Sequence, residues 1–387
     1  MKTFAEINER LRAGKAVVLT AEEVIPLVKE KGPRAVAAEV DVVTTATFGP
    51  MCSSGMFVNF GHSDPPIKMA KAWLNDVPVY AGVAAVDGYL GATELSETRG
   101  MEYGGAHVIE DLLAGKKIRL RATSYGTDCY PRREIETTVD LAHLNQAYLF
   151  NPRNAYQNYP VAVNSSARTI YTYMGTLLPH FGNATYSSAG ELSPLLNDPL
   201  YRTIGVGTRV FIGGTIGYVA WEGTQHNPGQ ARADNGVPIS GAGTLALIGN
   251  LKEMNRRYLR AAVFNRYGVT MYVGVGVPIP ILDEEMARYV GVSNAEIRST
   301  VVDYSVPSRT RPNFGQVTYA ELRSGHLELE GRRIPTAPLS SLARAREIAN
   351  ILKDWLRNGR FLLQEPIQPL PAENRPQPLE DDGEERA

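Results

Sequence analysis

The sequence predicts an α/β or α+β protein with a mixed β-sheet, flanking helices and long glycine-rich loops. Helical and strand signals alternate along most of the chain, which is typical of folds in which helices cover sheets. β-Branched runs broken by glycine indicate the strands. A segment rich in Gly, Asn, Pro and Tyr indicates long ordered loops around a site. These signals leave the strand order open.

Helices are predicted at both ends of the chain and at three positions between them. The first two span 4–13 and 21–31, where Thr20 is a candidate N-cap and Gly14 and Gly32 are plausible stops. Apolar periodicity predicts the others, which lie near 105–114, 244–260, 283–290 and 340–358.

Strands are predicted from residue 40 onward. The early runs are VDVVTTATFG, VPVYAGVAAVDGYLGAT, KIRLRATSYG and EIETTV. A later strand is predicted at GVTMYVGVGVPIPI and a hairpin around GQVTYAELRSGHLELEG. The stretch between about 151 and 240 has little clean periodicity, so we expect loops around a site there.

The chain is interpreted as one catalytic domain over 1–365, with two lobes as an option, followed by a tail over 366–387. The tail sequence PIQPLPAENRPQPLEDDGEERA has five prolines, no aromatic residue and an acidic end. Such a composition buries too little apolar surface to order itself, so a flexible tail is predicted.

The composition favours a small-molecule substrate. The 40 Lys and Arg balance 41 Asp and Glu, which gives no electrostatic reason to expect nucleic acid or an anionic membrane as a partner. The N-terminus is charged throughout and no stretch approaches the roughly 20 apolar residues of a membrane span, so a cytoplasmic protein is expected. Two cysteines, with no C-x-x-C pair, argue against a structural metal or an iron–sulfur site.

Cys52 lies in the segment TFGPMCSSGMFVNFGHSD, where glycines and a proline bracket the thiol. Ser53 and Ser54 follow it with hydroxyl and N–H groups. Such a turn can direct N–H donors at a thiolate or at a developing oxyanion. A buried structural cysteine is an equally good interpretation, since free cysteine is among the most buried residue types.

Cys129 lies in a second polar, glycine-bearing segment, ATSYGTDCYPRRE. Arg132 and Arg133 favour a thiolate if they fold toward it, and Asp128 opposes it. A turn cysteine that faces solvent is the alternative. Whether the two thiols meet depends on the fold, because a disulfide needs Cα atoms within roughly 7 Å.

A third candidate segment, IGVGTRVFIGGTIGYVAWEGTQHNPGQ, contains seven glycines, and those at 205, 207, 213, 214, 217 and 223 permit close backbone approach to a ligand. Gln225 and His226 supply polar side chains, and a histidine titrates near physiological pH. A hydrogen-bonded loop histidine is the alternative. The stretch GAGTLAL from 241 to 247 matches a loose dinucleotide pattern at a predicted helix start, where a substrate carboxylate is a better occupant than NAD.

Three of these segments, TTATFGPMCSSGMFVNFGHSDPP, SYGTDCYPRRE and GGTIGYVAWEGTQHNPG, occur in an order that resembles the homocysteine biosynthesis family, formerly a domain of unknown function. The resemblance extends over roughly 4–363. It implies L-aspartate semialdehyde sulfurtransferase activity, in which homocysteine is made from the semialdehyde and a sulfide-level or persulfide sulfur donor in anaerobic archaea and bacteria. The C-terminal pair of CBS domains found in some members is not matched.

The resemblance further implies that Cys52 and Cys129 are the functional cysteines, one carrying a persulfide and the other resolving it as a disulfide. Which cysteine has which role is left open, as is a homo-oligomer. The chain is expected to bind no cofactor itself, so the electrons are expected from a small ferredoxin-like iron–sulfur protein. The candidates for binding the amino-acid part of the substrate are Ser53, Ser54, Arg132, Arg209, Gln225 and His226.

Two other functions remain as alternatives. A non-catalytic persulfide carrier subunit would need only an exposed thiol. The polar glycine-rich loops around His226 therefore argue against a simple carrier. A cysteine-dependent acyl transferase acting through a thioester on Cys52 would need a base and would leave Cys129 dispensable.

Overall fold

A computed structural model of the protein describes residues 1–379. Its α-helices within this range are α1 (Phe4–Arg12), α2 (Ala21–Lys31), α3 (Pro33–Glu39), α4 (Gly105–Leu113), α5 (Pro194–Asn197), α6 (Glu284–Val290), α7 (Tyr319–Arg323) and α8 (Leu342–Arg357).

The strands of the first half are β1 (Val18–Thr20), β2 (Val42–Pro50), β3 (Gly55–Asn59), β4 (Lys71–Leu74), β5 (Val77–Val79), β6 (Asp87–Gly91), β7 (Leu95–Ser96), β8 (Gly100–Gly104), β9 (Ile118–Thr123), β10 (Glu134–Val139), β11 (Gln146–Asn154), β12 (Val161–Val163), β13 (Ile170–Thr172), β14 (Gly175–Leu177) and β15 (Ala184–Tyr186). The strands of the second half are β16 (Gly205–Val206), β17 (Arg209–Ile212), β18 (Thr215–Glu222), β19 (Leu245–Asn250), β20 (Leu259–Phe264), β21 (Gly268–Pro280), β22 (Arg298–Asp303), β23 (Asn313–Thr318), β24 (His326–Leu329), β25 (Arg332–Pro338) and β26 (Gln368–Pro369).

The strands form three larger sheets. A ten-stranded sheet has the order β1-β2-β21-β17-β18-β19-β11-β3-β6, with β20 also paired to β21. A four-stranded sheet has the order β10-β9-β4-β5, and a six-stranded sheet the order β23-β22-β12-β15-β25-β24. The pairs β1–β2, β12–β22 and β15–β25 are parallel among mostly antiparallel neighbours. The mixed α/β architecture predicted from the sequence is confirmed.

The first two predicted helices are confirmed, and each begins with a reciprocal cap. Thr3 and Glu6 form this capping box at α1, and Thr20 and Glu23 form it at α2. Each box satisfies backbone N–H groups that the first helical turn would otherwise leave unpaired. The helices predicted near 105–114, 283–290 and 340–358 are confirmed as α4, α6 and α8.

The helix predicted over 244–260 is wrong. Residues 245–250 form β19, which pairs with β11 on one side and β18 on the other. A short turn of 3₁₀-helix follows at Leu251–Glu253, and the chain then enters β20. A short apolar run buried on both faces has no periodicity that separates a strand from a helix, so the sheet neighbours decided its conformation. GAGTLAL therefore opens a strand, and the helix terminus suggested for a carboxylate does not exist.

The hairpin predicted around residues 315–331 is also wrong. Thr318 and Glu321 form a capping box that starts α7, which separates β23 from β24. β24 pairs with β25 and β23 pairs with β22, so the two strands are not hairpin partners. The T-x-x-E spacing was the local signal for this helix.

Strand β21 is the centre of the core. Its burial is almost continuous because β2, β17 and β20 flank it and α8 covers one face. Gly274 and Gly276 allow that close approach, since a Cβ on Gly274 would lie 2.7 Å from Cδ1 of Ile348. A second apolar cluster lies around the six-stranded sheet. A third, small cluster packs against Tyr159, Tyr173 and Tyr304.

The start of the predicted tail packs on the body of the protein. Gln368–Pro369 pairs with Gly205–Val206, and Leu370 is buried in the main core. The tail boundary predicted at residue 366 is therefore corrected to follow Leu370, and residues 380–387 lie outside the described range. Among the described helices, none is both long and apolar enough to cross a membrane.

Candidate active site

Cys52 lies in a tight turn between β2 and β3. The backbone N–H of Ser54 donates to the carbonyl oxygen of Met51 at 3.1 Å, and the Ser54 hydroxyl donates to the same oxygen at 2.7 Å. The N–H of Met51 donates to the carbonyl oxygen of Met271 at 2.7 Å, which joins the turn to β21. The backbone that carries the thiol is thus held from within the turn and from the central strand.

Asn151 holds the turn from the side of β11. Its amide nitrogen donates to the Ser54 hydroxyl at 2.8 Å. Its Oδ1 accepts from the Ser53 hydroxyl at 3.1 Å and from the backbone N–H of Arg153 at 3.0 Å. β11 changes register between Asn151 and Asn154, which leaves this stretch free to depart from the regular ladder. One buried amide therefore positions both the cysteine turn and Arg153.

A cavity of about 310 Å³ opens beside this turn. Its walls come from β2, β11, β20 and β21 of the ten-stranded sheet, and from loops near 187–194 and 339–340. Cys52 is partly exposed and lines it. The volume is at the small end of the roughly 300–1,000 Å³ range of ligand pockets, which suits a metabolite of a few heavy atoms.

Tyrosines form much of the cavity wall. The hydroxyl of Tyr159 donates to that of Tyr173 at 3.2 Å, and the Tyr173 hydroxyl lies 3.2 Å from that of Tyr304 behind the wall. Tyr156 and Tyr267 line the cavity as well. Burial raises the pKa of Tyr156, Tyr159, Tyr267 and Tyr304. These four phenols are therefore protonated near neutral pH and can donate hydrogen bonds.

Cys52, Arg153 and two of the tyrosines share one electrostatic environment. Burial is the largest cause of the raised pKa of Tyr156 and Tyr267, and the negative charge of a thiolate at Cys52 raises both pKa values further. The positive charge of Arg153 lowers the pKa of the same two phenols. The thiol, the guanidinium and the phenols therefore act on the same small volume.

Arg153 is the one charged side chain among the described residues that line the cavity. No carboxylate within residues 1–379 forms an ion pair with it, and its buried Nε has no hydrogen-bond partner there. Thr270 also lines the cavity, and its buried hydroxyl oxygen likewise finds no partner in the described range. Buried polar groups are usually paired, so these two atoms are exceptions beside the cavity.

The candidates near Cys52 and Gln225 fall into two groups. Ser53 and Gln225 line the cavity, as the sequence interpretation expected of binding residues. Ser54 is buried and supports the turn from behind. His226 is fully buried outside the lining, where its Nδ1 accepts from the Thr244 N–H at 3.1 Å. Burial lowers its pKa, so the imidazole is neutral and has a structural position.

Arg132 and Arg209 lie outside the cavity lining. Arg132 donates to the carbonyl oxygen of Asp64 at 2.6 Å. Arg209 donates to the carbonyl oxygen of Leu362 at 3.1 Å and lies over the Phe361 ring at 4.9 Å. Both guanidinium groups join separate chain segments, and neither reaches the cavity in this conformation.

Cys129 is exposed in the loop between β9 and β10. Its neighbour Tyr130 stacks on His62, with 5.9 Å between the ring centroids. His62 follows the Asn59 end of β3 along the chain. Cys52 precedes the other end of that strand. Both cysteines are free, and the two thiols lie at opposite ends of β3 in one chain. The hydrogen-bond contact of the Cys129 sulfur within the described range is with the Thr127 hydroxyl at 3.5 Å, and not with Arg132 or Arg133.

The sequence interpretation missed Arg153 and the tyrosines. They belong to FNPRNAYQNYP at 150–160 and to isolated positions at 173 and 267, none of which matches a known catalytic pattern. A signal was nevertheless present, because an arginine without acidic neighbours stands there among amides and tyrosines. That composition is typical of a polar binding wall.

A partly exposed cysteine in this cavity, beside neutral phenols and an arginine without an ion-pair partner, is a candidate cysteine-dependent enzyme site for a small molecule. The chain belongs to the family described as homocysteine biosynthesis enzyme, sulfur-incorporation, whose model matches residues 16–363. The family predicted from the three sequence segments is confirmed.

Two similar proteins carry the same name, L-aspartate semialdehyde sulfurtransferase. The one from Methanosarcina acetivorans is 55% identical over 372 residues, which cover 96% of this chain and 72% of that protein. The one from Methanocaldococcus jannaschii is 49% identical over 392 residues, covering 97% and 75%. An uncharacterized protein of Methanothermobacter thermautotrophicus is 31% identical over 83% of this chain and 72% of its own length. No solved structure matches this chain.

Proposed function

We propose that this protein is an L-aspartate semialdehyde sulfurtransferase that forms L-homocysteine, with Cys52 as the sulfur-carrying nucleophile. The names of two relatives at 55% and 49% identity over nearly the whole chain support the activity. The single structural observation that supports the role of Cys52 is its position in the cavity, next to phenols that can donate hydrogen bonds. An exposed surface thiol such as Cys129 lacks such surroundings.

The overall chemistry balances as a reductive exchange of oxygen for sulfur. Aldehyde, hydrogen sulfide, two electrons and two protons give the thiol and one water. When the sulfur arrives instead as a persulfide, its terminal sulfur attacks the aldehyde carbon and forms the C–S bond. A second thiolate then attacks the Cys52 sulfur and breaks the S–S bond, which releases the substrate with the new sulfur still bonded to its carbon. Loss of the carbonyl oxygen as water and addition of two electrons and two protons give the thiol, and the protein disulfide takes two further electrons to reopen.

The buried phenols supply what the carbonyl oxygen needs during attack. That oxygen gains negative charge as the C–S bond forms, and a preorganised donor in a cavity shielded from water stabilises it. Tyr156 and Tyr267 are the candidates, because both lie within electrostatic reach of Cys52. A proton delivered to the same oxygen allows it to leave as water.

The electrons are proposed to come from outside the chain. Within residues 1–379, no group of three or more His, Cys, Asp or Glu side chains is arranged to hold a metal ion. With two cysteines the sequence lacks the four thiolates of a typical iron–sulfur cluster. A small ferredoxin-like protein is therefore the proposed reductant, and a sulfide or persulfide donor supplies the sulfur.

Cys129 is proposed as the resolving thiol, and the geometry sets a condition on that role. Because the two cysteines lie at opposite ends of β3, Cys129 reaches Cys52 only if its loop moves or if it belongs to a second copy of the chain. Its exposure suits contact with a macromolecular partner.

An anaerobic assay with aspartate semialdehyde, a persulfide donor and a low-potential reductant tests the proposal. Wild type should form homocysteine, and Cys52→Ala should abolish it because the proposed nucleophile is lost. Cys129→Ala should block turnover when the sulfur is supplied as a persulfide. Homocysteine formation by a variant lacking both cysteines would contradict the proposal.

The same variants separate the alternatives. A persulfide carrier would accumulate persulfide, detectable by mass spectrometry, but would form no homocysteine without another enzyme. A thioester acyl transferase would lose activity in Cys52→Ala and keep it in Cys129→Ala.

A further inference from the structure

We infer that Arg153 binds the substrate carboxylate, and that the cavity selects short aldehydes by this carboxylate more than by their amino group. The inference rests on the proposed function and assigns the substrate-binding residue. It extends the substrate class to carboxylates of the same chain length that lack the α-amino group.

The position of Arg153 supports a ligand anion rather than a structural role. Arg153 lines the cavity that contains Cys52, and it forms no ion pair with a carboxylate of the described range. By comparison, Arg202 pairs with Asp283 and Arg257 with Glu347. A carboxylate ligand would give this cation a charged hydrogen-bond partner.

The backbone of Arg153 is held beside the cysteine turn. Its N–H donates to Asn151 at 3.0 Å, and its carbonyl oxygen accepts from the Ser53 hydroxyl at 3.1 Å. The same serine adjoins Cys52 in the turn. Arg153 and the nucleophile are therefore fixed to each other through Ser53 and Asn151, as expected when one residue anchors a substrate and the other reacts with it.

The cavity lining offers a charged partner to the carboxylate of an amino acid but not to its ammonium group. Arg153 offers a planar fork of donors that matches a carboxylate. No Asp or Glu occurs among the described lining residues, so an ammonium finds only neutral oxygens such as those of Ser188, Ser340 and Gln225. A hydrogen bond between two charged groups is stronger than one between an ion and a neutral group. The carboxylate should therefore contribute more to binding than the ammonium.

Three unreactive alcohols separate the two charges. L-Homoserine carries both, 4-hydroxybutyrate lacks the amino group and 3-amino-1-propanol lacks the carboxylate. We expect the first two to bind the wild type with affinities within about tenfold of each other, and the third to bind about 10- to 100-fold more weakly than L-homoserine. Ligand-observed NMR titration measures all three.

Arg153→Gln should weaken L-homoserine and 4-hydroxybutyrate by about 10- to 100-fold and leave 3-amino-1-propanol unchanged. Arg153→Lys should give an intermediate loss, because it keeps the charge but not the fork. Arg256→Gln is the matched control, since Arg256 is exposed and outside the cavity lining. Thermal unfolding of each variant identifies any general loss of folding.

Two results would overturn the inference. The first is equal binding of the carboxylate probes by wild type and Arg153→Gln. The second is unchanged probe binding by Arg153→Gln together with slower alkylation of Cys52 in that variant at neutral pH, as measured by peptide mass spectrometry. Arg153 would then serve to stabilise the thiolate.

The probes involve no sulfur, reductant or reacting aldehyde, so this test is independent of the proposed function. Arg153-dependent binding with no homocysteine formation in the assay would contradict the sulfurtransferase activity and leave the carboxylate site intact. Homocysteine formation with Arg153-independent binding would do the reverse. Conversion of succinic semialdehyde, the aldehyde without the amino group, to 4-mercaptobutyrate is the expected further activity under the same assay.

Discussion

Asn151 is the side chain on which the geometry around Cys52 most depends. It is fully buried and makes hydrogen bonds to Ser53, Ser54 and the backbone of Arg153. Each of those partners is polar and would lose a bond if the amide were removed. The proposed nucleophile and the proposed carboxylate site therefore share one point of support.

Asn151→Ala should lower the free energy of unfolding by about 1–3 kcal/mol, because buried polar groups are left unpaired. It should also change the rate at which iodoacetamide alkylates Cys52, since the turn is no longer held from β11. Urea unfolding and peptide mass spectrometry measure the two effects. Asn350→Ala on the exposed face of α8 is the control and should change neither. An unchanged alkylation rate in Asn151→Ala would show that the turn is held by its backbone alone.

At the scale of single residues, the sequence could predict Cys52 as a site residue but not what surrounds it in the cavity. Ser53 and Gln225 were predicted because they adjoin recognisable segments, and both line the cavity. Arg132, Arg209 and His226 were chosen for their chemical type, and the fold uses all three in contacts outside the cavity. Arg153 is far from Cys52 in sequence, and only the pairing of β11 with β3 brings it near.

At the scale of elements, the contact between β21 and α8 shows how glycine spacing shapes the core. The alternating glycines of GVGV leave room for the aliphatic side chains of α8. A Cβ at Gly274 would meet Cδ1 of Ile348 at 2.7 Å, closer than packed atoms allow. The helix can therefore lie directly against the sheet.

Gly274→Ala should destabilise the protein by about 1–3 kcal/mol through overpacking. Ile348→Val removes the Cδ1 atom that the new methyl group would meet, so the double variant should recover part of the loss. Urea unfolding of the two single variants and the double variant measures this coupling. Strict additivity would mean that the strain lies elsewhere, for example against Tyr258.

The N-terminus of α6 depends on a paired carboxylate. The hydrogen bond from Arg202 lowers the pKa of Asp283 from 3.8 to about 2, and Asp283 also accepts from the Met286 N–H as the helix cap. A carboxyl whose pKa is lower in the folded state contributes stability above about pH 4, and this contribution is lost as the pH falls toward about 2.

Asp283→Asn should therefore reduce the free energy of unfolding near neutral pH, because the neutral amide keeps the cap but not the ion pair. The difference from wild type should shrink as the pH is lowered from about 6 to about 3. Urea unfolding at several pH values measures it. A difference that stays constant over this range would contradict the ion-pair explanation.

Sequence periodicity predicted elements well where a cap or an amphipathic stripe was present. Helices α1, α2 and α8 have such signals. The apolar periodicity of 244–260 was misleading, because the β-conformation of residues 245–250 is imposed by β11 and β18, which are remote in sequence. The order of the ten-stranded sheet could not be predicted for the same reason, because pairing between distant strands leaves no local pattern.

At the scale of the whole molecule, the separation of the two cysteines is the feature that most constrains function. The Cys129 loop is held by the stacking of Tyr130 on His62 and by the bond from Arg132 to Asp64. These contacts oppose a large movement of the loop toward Cys52. A second copy of the chain is then the more direct way to bring the thiols together.

Co-expression of Cys52→Ala and Cys129→Ala chains should restore part of the activity that each variant lacks alone. A mixed oligomer contains one intact Cys52 and one intact Cys129 on different chains, which suffices if the thiols react between copies. The anaerobic homocysteine assay measures the recovery. No recovery, in a sample shown to contain mixed oligomers, would assign the reaction to loop movement within one chain.

The pairing of β2 with β21 also has a consequence for protein synthesis. The hydroxyl of Thr45 donates to the carbonyl oxygen of Val277 across a separation of 232 residues. At roughly 5–20 residues per second, the ribosome needs on the order of 10–50 s to make the second strand after the first. Throughout that interval Cys52 has been translated, but strands β20 and β21, which form part of its cavity, have not. The thiol of the nascent chain is therefore open to oxidation. Oxygen-free expression should therefore raise the yield of active enzyme more than later reduction of the folded protein.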